Sequence, residues 1–210
     1  MASNAQTATT IIHTVALDGD QNIAAFRDST SKFKTIRVTI HTTGGWPNSP
    51  HSDNHVTIFL LLEQGGAVQV DMRTDPNDRR GQLVWKLVNY QQSLSQIKAF
   101  DYQLATAVEV WVLYRFIRYE KALHQYLFSA GGSGCHYWNY NLIRLMTLAS
   151  DKFSLHVDVP NHVWNVFGKW YSRTGAERPN SILQGEFQNY AEWYEDWYGE
   201  DDEDDEEDEE

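Results

Sequence analysis

The strongest hydrophobic pattern in the chain is HVTIFLLLEQ, then Gly65-Gly66, then AVQVDM. Two β-rich runs joined by a glycine pair predict a β-hairpin with strands at 56–62 and 67–72. The first run is apolar on both faces, which predicts a central strand rather than an edge. TIRVTIH at 35–41 alternates as a half-buried strand does, and IIHTVAL at 11–17 and QLVWKLVN at 82–89 read as further strands. Between them, residues 42–54 are dense in Gly and Pro and read as a loop. AVEVWVLYRFIRYEKAL at 107–123 has apolar residues at helical spacing and predicts a helix. Residues 126–129 read as a short strand, 137–148 (YWNYNLIRLMTL) as a second apolar helix, and 161–172 as a third, capped by Asn161. No repeat is visible, and the Trp- and Tyr-rich stretch from 185 fits no element.

Strands followed by helices predict an α+β class, an antiparallel sheet packed against helices. The predicted organisation is a flexible N-terminus at 1–10, a single globular domain at 11–199 and a disordered acidic tail at 200–210. Charge supports that division. The net charge is -12, yet residues 200–210 are all acidic and leave eighteen acids against seventeen bases elsewhere. Such a tail cannot bury apolar surface, and it is suited to contact with a basic protein partner.

A near-neutral body with an anionic tail lacks the basic footprint that nucleic acid requires. No apolar run approaches the about 18 residues of a membrane helix. The N-terminus shows neither the basic nor the apolar region of a secretory signal. A single cysteine cannot form an internal disulfide, which fits a reducing compartment, cytoplasm or nucleus.

That cysteine is also the one candidate for chemistry. Gly131-Gly132-Ser133-Gly134 precedes Cys135, so the chain can turn sharply onto the following helix. At a helix N-terminus a thiol is more easily ionised, and its backbone N–H can donate to an oxyanion. His55, opening the buried strand, is the candidate base, and Asp71, Asp53 or Asn54 can orient its ring. A two-residue hairpin loop would put Asp71 on the opposite face from His55, whereas a three-residue loop or a bulge would put both on one face. His136 is expected about 100° around the helix and is the poorer partner. His51 and His55 flank Asp53 without helical His-x-x-x-His spacing, so neither a metal nor a cofactor is expected. AGGSG lacks the Lys of a phosphate-binding loop.

NHVTIFLLL, GGAVQVDM and GGSGCHYWNY together resemble an uncharacterised domain family of filamentous fungi with an Asn-His strand and a Gly-Cys-x-Tyr-Trp motif. The order His-bearing strand, hairpin, then Cys opening a helix is similar to the circularly permuted papain-like (NlpC/P60-like) fold of lecithin–retinol acyltransferases and PPPDE peptidases. That second resemblance implies Cys135 as nucleophile and His55 as base. Two features depart from it: Gly-Cys stands where Asn-Cys is common, and no second His occupies the following strand. The expectation is a cysteine hydrolase or acyl transferase acting on a small-molecule or peptide amide, isopeptide or thioester. Its rivals are a non-catalytic binding or scaffold domain and a secondary-metabolism enzyme that works by pocket shape.

Overall fold

The alternating run at 35–41 forms the middle of β1 (Lys32–Thr42) in the computed structural model, which describes residues 31–42, 54–74, 79–130, 134–174 and 176–188. The strand expected at 11–17, the loop with His51 and Asp53, residues 131–133 and the tail at 200–210 lie outside these described residues. The fold class is α+β. An antiparallel sheet of β2 (Asn54–Leu62), β3 (Ala67–Thr74), β4 (Gly81–Val88), β5 (Gln96–Glu109) and β1 has the order β4-β3-β2-β1-β5. The strand that is apolar on both faces, β2, is the central one. Val56, Ile58 and Leu60 enter the main core, while Phe59 and Leu61 join Ala67 and Val88 on the other face.

The hairpin closes through three residues. Leu62 accepts a hydrogen bond from the Gly65 N–H and donates its own N–H to Gly66. Gly65 and Gly66 both have positive φ, and a Cβ on Gly66 would lie 2.7 Å from the Val88 carbonyl. This loop sets the register with Ile58 opposite Val70 and Leu61 opposite Ala67.

Two helical expectations need correction. Strand β5 was not expected, and it runs through Glu109, so the helix expected from 107 begins only at Val110, as α1 (Val110–Arg115). Val108 pairs with Phe33 and Glu109 with Lys32, so the sheet ladder outweighs a helical spacing that is rich in β-branched residues. The chain then widens into a π-helical turn, Phe116–Glu120. After β6 (Tyr126–Leu127) comes α2 (Cys135–Leu148), then α3 (Ser150–Phe153) and α4 (Val159–Phe167). Helix α4 starts before Asn161, with Pro160 in its first turn, so Asn161 is no cap. It stops at Gly168. Beyond that, β7 (Lys169–Tyr171) pairs with β8 (Glu177–Pro179), while β9 (Glu186–Phe187) pairs with β6.

Trp138, Leu142, Ile143 and Met146 of α2 are buried against the core face of the sheet. A fully buried aliphatic side chain of this size contributes about 1.5–3 kcal/mol, so this contact fixes the helix firmly. Among the described residues no helix is long and apolar enough to cross a membrane.

Candidate active site

The site forms where the central ladder forks. Pairing between β2 and β3 ends at Ile58 opposite Val70, yet β2 stays paired with β1 to Asn54, and β3 with β4 to Thr74. The start of α2 abuts that fork and packs against both strands. Asn139 spans the contact, its Nδ2 donating to the Val56 carbonyl at 3.3 Å and to the Cys135 carbonyl at 2.8 Å. Cys135 is thereby brought beside two residues of the sheet.

The three-residue hairpin loop puts His55 and Asp71 on the same face. His55 Nε2 lies 2.6 Å from Asp71 Oδ1. Asn54, the other described candidate for orienting the ring, does not serve it. Its amide instead accepts from the Tyr171 N–H at 2.6 Å and donates to the Tyr171 carbonyl at 3.0 Å, tying β2 to β7. Asp71 is almost wholly buried, and its second oxygen accepts from Arg73 Nε at 2.5 Å. Residues 71 and 73 alternate onto one face of β3, so this ion pair was legible in the motif Asp-Met-Arg.

Gly134 leads into the helix with φ of 143°, and a Cβ there would lie 2.8 Å from the Tyr126 hydroxyl. That hydroxyl donates to the Gly134 carbonyl at 2.9 Å and accepts from the Gly185 N–H. The same carbonyl accepts from the Trp138 N–H at 3.0 Å and so points along the helix. A trans peptide sets its N–H opposite to its carbonyl. The Cys135 N–H therefore points out of the helix N-terminus, where the helix dipole is positive.

Cys135 is half-buried. His136 Nδ1 lies 3.6 Å from its sulfur, a contact that rotation around the helix had counted against. The His136 ring is buried edge-on to Phe167 and Trp170. Burial alone would raise the Cys135 thiol. The charge and hydrogen bond of His136, followed by the hydrogen bond and charge of His55, outweigh burial and hold the thiol well below its ordinary range.

Burial likewise pushes His55 down. Hydrogen bonding of the ring to Asp71 and to the Cys135 sulfur, with the charges of both, reverses this and lifts it to about 10. With Nε2 on Asp71, the ring nitrogen left for the sulfur is Nδ1. Asp71 is also shifted upward by burial, but its hydrogen bond to His55 and the charges of His55 and Arg73 bring it below the ordinary carboxylate range. All three shifts run in the direction that favours an imidazolium beside a thiolate, with Asp71 ionised.

These groups border a cavity of about 340 Å³ whose other walls are Met72, Arg73, Thr74 and Phe128. Among the described residues no three His, Cys, Asp or Glu side chains are disposed to hold a metal ion. No curated protein and no solved structure matches the chain. The model of DUF7770, a domain of unknown function, matches residues 36–188, which include Cys135, His55 and Asp71, and the chain therefore belongs to the DUF7770 family.

Proposed function

We propose that the protein is a cysteine-dependent acyl hydrolase or acyl transferase with Cys135 as nucleophile, His55 as acid and base, and Asp71 as the residue that orients His55. One observation carries this reading. A thiol at a helix start lines one cavity with an imidazole whose Nε2 rests on a buried carboxylate, and the neighbouring imidazoles pull that thiol well below its ordinary range. This is the triad logic of an activated nucleophile. The chain order, with base and carboxylate on paired strands ahead of the nucleophilic helix, supports a permuted papain-like core. A reducing compartment, which would keep the thiol free, suits the chemistry.

In the first half-reaction the Cys135 thiolate adds to the carbonyl carbon of an amide, isopeptide or thioester, and a C–S bond forms. The carbonyl oxygen becomes an oxyanion that the outward Cys135 N–H can meet. Collapse of this intermediate breaks the bond to the leaving group, which takes the proton from His55 Nδ1 and departs neutral. In the second half-reaction His55, now neutral, removes a proton from water or an acceptor nucleophile as that group attacks the thioester. The C–S bond breaks, the acyl product leaves, and the imidazolium–thiolate pair is restored. His136, buried against the sulfur, is placed to hold the thiolate but not to reach a leaving group.

Mass spectrometry of the full chain mixed with p-nitrophenyl acetate tests the proposal. The expected result is rapid transfer of one acetyl group to Cys135, slow release in wild type, and accumulation in His55→Ala. Acetylation of Cys135 no faster than that of a small free thiol would contradict the proposal and favour a binding or scaffold role.

A further inference from the structure

Arg37 and Arg73 lie on the same face of the sheet, and each pairs with an aspartate. Arg37 has its fork closed: Nε and Nη2 grip both oxygens of Asp101 at 2.7 Å, and Nη1 donates to the Gln91 carbonyl at 2.8 Å. That is the closed, bidentate form of such a pair. Arg73 is held only through Nε, because Asp71 gives its other oxygen to His55. Four of its five N–H donors have no partner among the described residues, and the side chain is 52% exposed where it borders the cavity with Cys135. Its Nε contact anchors the guanidinium while the outer fork stays open.

We propose that Arg73 is a substrate-recognition residue and that the acyl hydrolase proposed above, on which this inference rests, takes substrates bearing a carboxylate near the scissile carbonyl. A planar guanidinium fork matches a carboxylate through two parallel hydrogen bonds, a geometry that a point charge such as lysine does not reproduce. The adjoining walls, Met72 and Phe128, are buried and apolar and suit a short aliphatic stretch of the same substrate. Asp71 takes only the Arg73 Nε and commits its other oxygen to His55, so it does not compete with an incoming carboxylate for the outer N–H groups of Arg73. The substrate class is thus a carboxylate-bearing amide or thioester, such as an amino-acid conjugate or the C-terminal end of a peptide. The cavity volume fits a group of that size.

Cys135 is the only cysteine, so alkylation of the full chain reads this site alone. The experiment measures the rate of alkylation by iodoacetamide in the presence of N-acetylglycine or its uncharged analogue N-acetylglycinamide. In wild type the carboxylate should protect at a concentration about tenfold lower than the amide, the effect of one good bidentate pair. Arg73→Met should abolish that preference, and Arg73→Lys should retain only part of it, with circular dichroism confirming that both variants fold. Equal protection by the two compounds, no protection included, or a preference that survives in Arg73→Met would overturn the proposal. The two readings fail separately: a carboxylate preference at a thiol of ordinary reactivity would leave the anion site standing and remove the catalytic role.

Discussion

His41 and His55 face each other across the β1–β2 ladder as direct partners, their ring centroids 6.4 Å apart, yet the protein treats them in opposite ways. Burial drives both imidazoles toward the neutral form. In His41, where Nδ1 meets the Ser95 hydroxyl, burial and the charges on His55 and Arg73 outweigh the more distant pull of Asp71 and bring it down to about 4. In His55 the Asp71 carboxylate and the Cys135 sulfur overcome burial and lift it to about 10. Two histidines one strand apart differ because only His55 touches the carboxylate and lies beside the thiol. Ionisation here is set by the partner, and burial only raises the stakes. The neutral His41 also adds no second charge beside the imidazolium.

The largest way to break this comparison is to add a carboxylate without partners. Leu60 lies on the same strand as His55 but points into the main core and is fully buried. Leu60→Asp should cost about 3–5 kcal/mol, a large share of the roughly 5–15 kcal/mol that stabilises an ordinary domain, and lower the urea midpoint sharply. A urea midpoint equal to that of wild type would show that β2 is not the centre of the fold.

Next in size is the loss of charge without loss of shape. Asp71→Asn should drop His55 toward neutrality and raise Cys135, and each unit of that rise lowers the thiolate population at acid pH about tenfold. Alkylation by iodoacetamide at pH 5.5 should therefore slow by tenfold or more. An unchanged rate would mean that His136 alone ionises the thiol.

The third test uses linkage. Unfolded, His41 takes its proton near 6.5, whereas in the fold it does so only near 4. Between those values the unfolded chain holds more protons, so stability falls as the pH falls, by about 3 kcal/mol once the lower value is passed. His55 tilts the other way, its stabilisation complete below 6.5 and lost as the pH rises through about 10. His41→Asn should flatten the acid arm in denaturant melts from pH 6.5 to 4, and an arm as steep as in wild type would assign it to other groups.

The smallest effect on the site should come from Asn54→Ala. Breaking its paired bonds to Tyr171 leaves buried backbone groups unsatisfied and should cost about 1–3 kcal/mol. The pH dependence of Cys135 alkylation should not move, because Asn54 does not touch His55. A shifted dependence would give Asn54 the orienting role that the geometry gives to Asp71.

The parts of the molecule that could be read from sequence are those decided by short-range chemistry. A run apolar on both faces marked β2 as central, and a glycine approach marked Cys135 as the start of its helix. Whether Asp71 shares a face with His55 was undecidable without the loop conformation, since one residue in the turn inverts the whole strand. Strand β5 was missed although Phe100, Tyr102 and Leu104 alternate with polar residues, because the helical spacing beyond it drew the assignment. The pairing of His41 with His55 depends on register across a long connection and carries no local signal. The approach of His136 to the sulfur depends on side-chain rotation, which periodicity alone does not specify.

The central claim is that His55 and Cys135 form an ion pair held by Asp71. It is tested most directly by the rate of Cys135 alkylation by iodoacetamide across the pH range, in wild type and in His55→Ala. An ion pair predicts that wild type reacts at a steady rate through neutral pH and slows only well into acid. His55→Ala should move the inflection upward by at least about one unit, toward the about 8.5 of an unperturbed thiol. A single inflection near that ordinary value, identical in the two proteins, would contradict the claim.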